Sequence, residues 1–151
     1  MRVYIDTEFT DLLRPVLISL GLVSADGQQC YVELNEGWTV SQCSDFTREV
    51  VLPLLDGDMA AIRILEAAKR VHEWLSQLGP DIEVVSDSNI DLVFLGKLMA
   101  VVGTLPTNVT NASVITLSVD QQMRSEAAFG SGLRRHHALD DARALRLAAG
   151  G

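Results

Sequence analysis

The sequence opens on MRVYIDTEFTD (residues 1–11), and this stretch decides how the later motifs of the chain are interpreted. Apolar and polar side chains alternate over residues 2–6, which predicts a β-strand. Side chains two residues apart point to the same face of a strand, so Asp6 and Glu8 stand side by side if the strand continues through Glu8. Paired carboxylates repel each other unless a cation lies between them. The stretch therefore predicts either two solvated acids at a strand end or half of a divalent-cation site.

The rest of the chain alternates strand patterns with helix patterns. The strand patterns cover residues 2–6, 16–24, 29–34, 82–85 and 114–117. The helix patterns cover residues 59–78, 90–101 and 138–149, together with a short segment capped by Ser44 and ended at Pro53. Residues 103–113 are predicted to form a loop, and residues 121–133 carry the weakest pattern. These elements predict one α/β domain over residues 1–151, with helices flanking a mixed sheet of five strands.

The composition is ordinary for a globular protein, with 48% hydrophobic and 21% charged residues among 151. Apolar runs are too short to span a bilayer, and acids occupy the region where a signal peptide would be apolar, which predicts a cytoplasmic protein without membrane contact. In that compartment Cys30 and Cys43 are expected to be reduced thiols. Two cysteines and three histidines without a C-x-x-C pair give a structural zinc site little support.

The charge of the chain limits the kinds of nucleic-acid contact that it can make. A net charge of −8 argues against coating duplex nucleic acid, which needs a basic face. It does not exclude an enzyme that acts on a short strand through bound cations. The arginines gather near the end of the sequence, at Arg134, Arg135, Arg143 and Arg146. This cluster is either a place for an anionic ligand or a solvated helix face.

Two later motifs place acids near the starts of predicted helices. SNIDLVFLGKL (residues 88–98) carries Asp91 in the first helical turn, and Asp87 lies four residues earlier. RRHHALDDARALRL (residues 134–147) carries His136 and, five residues later, Asp141. Taken singly, each motif is explained by helix capping or by the helix dipole.

Together with the opening pair, these motifs have a shared chemical purpose. Four carboxylates can hold two divalent cations about 3.5–4 Å apart, which act on the attacking and leaving oxygens of a phosphodiester. A nearby histidine can take the proton from the attacking water, because its ordinary pKa of about 6.5 lies near working pH. Hard oxygen ligands favour Mg²⁺ or Mn²⁺.

The motifs IDTEFT, SNIDLVFL and HHALDDARAL resemble those of the DEDD superfamily of 3′–5′ exonucleases, in the DEDDh branch whose last motif carries a histidine. The chain is most similar to small bacterial exoribonucleases of the ribonuclease AS type, through the strand-like LISLGLVSADG, the V-L-P-L segment and the H-x-A-L-x-D-A-R ending. The resemblance covers nearly the whole chain except residues 103–131. It implies a ribonuclease H-like fold, with a five-stranded mixed sheet flanked by helices.

The resemblance also implies the site residues. The metal ligands would be Asp6, Glu8, Asp91 and Asp141, holding two divalent cations, Mg²⁺ or Mn²⁺. Asp87 is the alternative third ligand, because Ile90 stands where relatives often have an aromatic residue before that Asp. The general base would be His136, which leaves His137 and Asp140 at variable positions of the motif. Three further residues lie near the first acids: Thr7, Phe9 and Thr10. Relatives use residues at these positions to hold the terminal nucleotide. The alternative is that these side chains only pack the strand end.

The implied activity is removal of mononucleotides from the 3′ end of single-stranded RNA by a metal-dependent mechanism in which His136 accepts the proton from water. The same chemistry on DNA 3′ ends is the nearest alternative, because nothing in the sequence shows which groups meet the 2′-hydroxyl. A module that binds a 3′ end without cutting it is a second alternative. A D-x-D phosphatase is disfavoured by Glu8, and an EF-hand near Asp56 by its missing ligands. Relatives are commonly homodimers, so a homodimer is expected.

Overall fold

A computed structural model describes residues 1–150 of the chain. Its centre is a mixed sheet of six strands: β1 (Arg2–Phe9), β2 (Leu17–Ser24), β3 (Gln29–Leu34), β4 (Ala61–Ile62), β5 (Ile82–Ser86) and β6 (Val109–Val114). The spatial order is β4-β3-β2-β1-β5-β6. The first three strands form an antiparallel meander, whereas β5 runs parallel to β1, β6 parallel to β5 and β4 parallel to β3. The two central strands are β1 and β2, and every residue of β2 is buried.

Four α-helices cover the sheet: α1 (Ile64–Gln77), α2 (Asn89–Ala100), α3 (Val119–Gly130) and α4 (Ala138–Ala149). Helices α1 and α2 share one hydrophobic core with the face of β1 that carries Val3 and Ile5. On the opposite face, Tyr4 of β1 packs with Leu145 of α4. Side chains along β1 therefore alternate between the two faces of the sheet, as the opening sequence predicted. Asp6 and Glu8 point to the α4 side.

Two sequence predictions about the sheet are wrong in detail. The sheet has six strands rather than five, because Ala61 and Ile62 pair with the end of β3 instead of starting a helix at residue 59. Helix α1 consequently begins at Ile64. Residues 109–114 form edge strand β6, although residues 109–113 were predicted as part of a loop. Their polar, exposed side chains hide a strand that is held by backbone hydrogen bonds to β5 on one side only.

The prediction of a strand at residues 114–117 misplaces β6. The strand ends at Val114, while Ile115 and Leu117 pack beside Tyr4 and Leu145 in the smaller core cluster. Residues 121–133, which carried the weakest sequence pattern, belong mainly to α3. Its start has a recognisable signal, since Ser118 and Gln121 form a reciprocal capping box.

Other sequence predictions match the structure closely. The helix predicted at residues 138–149 coincides with α4, and the strand at residues 29–34 coincides with β3. The segment between Ser44 and Pro53 is helical but irregular, as Thr47–Val51 and Leu52–Leu54. Cys30 and Cys43 are both buried free thiols. Across residues 1–150, each helix is too short or too polar to cross a membrane.

Candidate active site

Strand β1 extends through both acids of the opening sequence. It runs to Phe9, so Asp6 and Glu8 lie on the same strand and the same face. Asp6 pairs with Gly21 of β2 and Glu8 with Ser19, and the pairing becomes irregular directly after Glu8. Regular sheet pairing therefore fixes the positions of the two carboxylates.

Gly21 allows the last helix to reach this pair of acids. A Cβ atom at this position would lie 2.5 Å from the Cα and backbone nitrogen of Leu139 in the first turn of α4. The helix therefore crosses β2 in direct backbone contact at the residue that pairs with Asp6. This close approach places Asp141, two residues after Leu139, beside the acids of β1.

Asp91 is held by hydrogen bonds from two neighbouring strands. Its Oδ1 accepts from the Thr7 backbone nitrogen at 3.1 Å and from the Thr7 hydroxyl at 2.6 Å. Its Oδ2 accepts from the Ser86 hydroxyl at 2.5 Å. With the residue only 2% exposed, this carboxylate has one fixed orientation at the start of α2.

The predicted acids converge in two neighbouring groups, and one pocket is lined by members of both. Ligand atoms of Glu8, His136 and Asp141 all lie within 4.8 Å of one another, and so do those of Asp6, Asp87 and Asp91. The structure therefore brings together all five residues expected to carry the chemistry. It also keeps the alternative ligand at the site, because Asp87 faces Asp6 alongside Asp91.

The electrostatics of this cluster favour a bound cation. Burial, with the nearby charges of Asp141 and Asp91, raises the pKa of Glu8 to about 8. Burial raises the pKa of Asp141 to about 7, and that of Asp6 rises well above its ordinary value through burial and the neighbouring acids. Carboxylates that cannot all ionise together at neutral pH are a donor set suited to hard divalent cations. The residues present thus fit a magnesium or manganese site.

His136 is held at the edge of the cluster in an unusual backbone conformation. Its φ of +67° lies in the left-handed region, and its backbone nitrogen donates to Asp141 Oδ2 at 2.8 Å. Its ring meets the Phe46 ring edge-on, with centroids 4.9 Å apart. Burial and the charge of Arg135 lower the pKa of His136, so the ring is neutral and able to accept a proton at pH 7.

The residues expected near the terminal nucleotide have different surroundings. Phe9 is half-buried and packs against Phe94, with ring centroids 5.7 Å apart. The Thr7 hydroxyl is engaged by Asp91. Thr10 is fully buried, and its hydroxyl accepts from the Val16 nitrogen at 3.0 Å, so this side chain supports the following loop. Of the three, only Phe9 lines the adjoining groove.

An apolar groove of about 440 Å³ adjoins the cluster through Glu8. Besides Phe9, its walls include Leu12, Leu13 and Phe46, and the two leucines are 83% and 90% exposed. The sequence analysis missed these three residues. Two adjacent exposed leucines directly after D-T-E-F-T-D are a sequence signal that could have suggested a contact surface.

A polar pocket of about 260 Å³ adjoins the cluster through Asp6 and Asp141. Its remaining walls include Asp87, Ser125, Phe129, Arg135 and His136. Helix α3 contributes Ser125 and Phe129, which belong to the part of the chain that carried no resemblance. The sequence had grouped Arg135 with a general basic cluster and had not singled it out.

The residues at the variable positions of the last motif have a structural task. Asp140 is 3% exposed and accepts from the Arg134 backbone nitrogen at 3.1 Å and from its Nε at 2.7 Å, and it also pairs with Arg143. Arg134 continues to Asp56 at 2.8 Å, and buried His137 lies 3.2 Å from the same carboxylate. These contacts tie the start of α4 to the segment before β4.

Comparison with solved structures defines the class of fold. A mixed sheet of this order with helices on both faces is ribonuclease H-like, as the sequence predicted. The chain is similar to S. pombe Pop2p, solved in its Mg²⁺ and Mn²⁺ bound form, with a TM-score of 0.62 over 98% of this chain and 80% of Pop2p. At 15% identity this likeness shows the fold alone. No family model and no curated protein sequence matches the chain.

Proposed function

We propose that the protein is a metal-dependent 3′–5′ exonuclease that releases mononucleotides from the 3′ end of single-stranded RNA. The observation that carries this proposal is the convergence of four buried or half-buried carboxylates, with a neutral histidine at the edge of the cluster. The fold likeness to Pop2p, a structure solved with Mg²⁺ and Mn²⁺, supports the same choice of cation.

Each residue has a role in this proposal. Asp6, Glu8, Asp91 and Asp141 would hold two divalent cations, which supply an activated water and neutralise charge on the leaving oxygen. His136 accepts the proton of that water, since its lowered pKa keeps the ring neutral before the reaction. The hydrogen bond from the His136 backbone to Asp141 couples the position of this base to a ligand.

The apolar groove is the proposed place for the terminal base. Phe9 and Phe46 offer ring faces or edges, and Leu12 and Leu13 offer exposed apolar surface, all beside Glu8. Stacking of a base on such side chains tolerates different sequences, because every base has a π-face. Single-stranded ends are the substrates that can turn a base into such a groove.

The test is digestion of defined RNA and DNA oligonucleotides of one sequence, with product mapping, in EDTA and after addition of Mg²⁺ or Mn²⁺. Shortening from the 3′ end with release of nucleoside 5′-monophosphates is expected only with metal. His136→Ala is expected to lower kcat roughly 10²- to 10⁴-fold, as loss of a general base does. Asp6→Asn is expected to remove the activity.

The matched control is His72→Ala, which removes a histidine from α1 on the opposite face of the sheet. It should leave the rate unchanged. Full metal-dependent activity in either active-site variant would contradict the proposal. Faster cleavage of DNA than of RNA would select the DNA-directed alternative, and 3′-end binding without cleavage would select the binding module.

Three expectations from the sequence stay predictions: that residues 1–151 form a single exonuclease domain, that the protein is a homodimer, and that it is cytoplasmic. The oligomeric state is measured by light scattering on the purified chain. A mass near 33 kDa is expected for a dimer of the 16.4 kDa chain.

A further inference from the structure

The polar pocket described above has walls that the proposed function does not use, formed by Ser125, Phe129 and Arg135. It shares the carboxylate cluster with the apolar groove, but it joins the cluster through Asp6 and Asp141 rather than through Glu8. A strand whose terminal base occupies the groove and whose scissile phosphate lies at the carboxylates must continue away from the groove. The polar pocket is the described cavity that adjoins the cluster on its other side.

Arg135 is the cation of this pocket. Among the described residues that line it, Arg135 alone carries a permanent positive charge. Its guanidinium lies over the Phe129 ring, 4.2 Å from the centroid, and donates to Glu126 at 2.6 Å. That one ion pair is its only hydrogen bond to a group within residues 1–150, so the remaining N–H groups of the fork are open to a ligand.

The position of Arg135 directs its charge at the site. Arg135 lines the pocket together with His136 and Asp141, so its charge faces the acidic cluster. Its side chain is 46% exposed, so an incoming strand can reach it without rearrangement of the core. The contact with Phe129 holds the planar guanidinium in one orientation, which reduces the entropy lost when it binds.

We propose that Arg135, supported by Phe129 and Ser125 of α3, binds the phosphodiester on the 5′ side of the scissile one. This proposal rests on the proposed function, because it assigns the path of the same substrate. A guanidinium fork matches two oxygens of a phosphodiester. It also gives the segment without family resemblance a task, since α3 forms the wall along which the strand leaves the site.

The net charge of the molecule makes this contact important for binding an anionic strand. With a net charge of −8, the protein repels an anionic strand wherever no cation intervenes. Glu126 occupies one edge of the Arg135 fork in the free protein. A phosphodiester must therefore compete with this carboxylate, and Glu126 sets how strongly the pocket holds the strand.

The experiment compares two substrates with the full-length protein and Mn²⁺. One is a short single-stranded RNA, and the other is the p-nitrophenyl ester of a nucleoside 5′-phosphate, which has no upstream phosphodiester. Arg135→Ala is expected to lower the ratio of RNA to ester kcat/KM roughly tenfold, as loss of a charge-assisted contact does. The slope of log KM for RNA against log salt should fall by about 0.7, the value for one phosphate on a single strand.

A second variant has the opposite expected sign. Glu126→Gln removes the competing carboxylate, so KM for RNA should fall while the ester is affected less. The matched control for Arg135→Ala is Arg124→Ala, which removes an arginine charge from α3, the helix of Glu126. The matched control for Glu126→Gln is Glu73→Gln on α1. Both controls should keep the wild-type ratio of RNA to ester activity.

The possible results separate the two proposals. Equal losses on RNA and ester in Arg135→Ala, with the salt slope unchanged, overturn the subsite, and so does an equal effect in Arg124→Ala. If the wild-type protein cleaves neither substrate, the exonuclease function itself fails. Thermal melts of each variant identify any change that comes from unfolding rather than from binding.

Discussion

At the scale of single residues, the site depends on side chains that hold the acids rather than on the acids alone. Thr7 and Ser86 direct three donors at the two oxygens of Asp91. Such donors fix the orientation of a metal ligand and commonly change metal affinity or activity 10- to 100-fold when they are lost. Neither contact could be predicted from the sequence: Thr7 was expected near the terminal nucleotide instead, and a Ser at a strand end is ordinary.

Thr7→Val removes the hydroxyl that donates to Asp91 and keeps the shape of the side chain. We expect the Mn²⁺ concentration that gives half-maximal activity to rise at least roughly tenfold, because one oxygen of Asp91 is less firmly oriented. The measurement is a Mn²⁺ titration of the RNA-cleavage rate. The control is Ser24→Ala, which deletes another buried hydroxyl at the far end of β2. An equal change in both variants would mean that only general stability was lost.

At the scale of elements, the decisive contact is the crossing of α4 over β2 at Gly21. The sequence predicted α4 with its true bounds and a strand over residues 16–24, because both follow from local periodicity. It did not predict how closely they pack. The sequence does not show where one backbone crosses another. A glycine within a strand is the only sequence feature that indicates such a crossing.

Gly21→Ala is expected to push α4 away from the sheet. The new Cβ atom would lie about 2.5 Å from the backbone of Leu139, and backbone cannot give way as a flexible side chain does. We expect a loss of roughly 1–3 kcal/mol in the free energy of unfolding. The rate of RNA cleavage should fall by more than the unfolded fraction explains, because Asp141 and His136 move with the helix.

Gly96→Ala is the matched control for this substitution. Gly96 lies in the exposed part of α2, and nothing lies within 4 Å of a Cβ built there. In a helix interior alanine is more favourable than glycine by up to about 1 kcal/mol, so this variant should melt at the same or a higher temperature. Similar destabilisation by both substitutions would remove the argument for a backbone contact at Gly21.

At the scale of the whole molecule, the acidic site makes stability depend on pH and on metal. The carboxyl groups of Glu8 and Asp141 have pKa values of about 8 and about 7 in the folded protein, above their ordinary values. At pH values between the ordinary pKa values and these raised ones, the folded state therefore keeps protons that the unfolded state has released. Stability falls as pH rises through this window, and it recovers as pH falls.

Without metal, the free energy of unfolding should be higher at pH 6.5 than at pH 8.5 by about 2 kcal/mol, the effect of one such group over that interval. Urea unfolding in EDTA at the two pH values measures this difference. Saturating Mn²⁺ should raise stability most at pH 8.5 and reduce the difference, because the cation competes with protons for the same oxygens. Asp141→Asn should flatten the pH dependence; an unchanged slope in this variant would place the proton elsewhere.

The sequence predicted the fold class and singled out acids that the structure brings close together, because strand alternation and motif spacing are local properties. It could not predict the edge strand β6, whose polar side chains resemble those of a loop. Nor could it predict the two cavities, since each combines residues from distant segments, such as Glu8 with Phe46 and Asp6 with Arg135. Cavities arise from the arrangement of elements, which periodicity alone does not encode.

The pairing of Asp6 with Gly21 has a consequence for how this protein can change over evolutionary time. Any descendant that keeps an acid at the first position needs a residue without a side chain directly opposite, because the helix that brings Asp141 rests there. A lineage that abandons the chemistry is released from both requirements together. The two positions should therefore change together, and a larger residue opposite Asp6 would mark a descendant that has lost the carboxylate cluster.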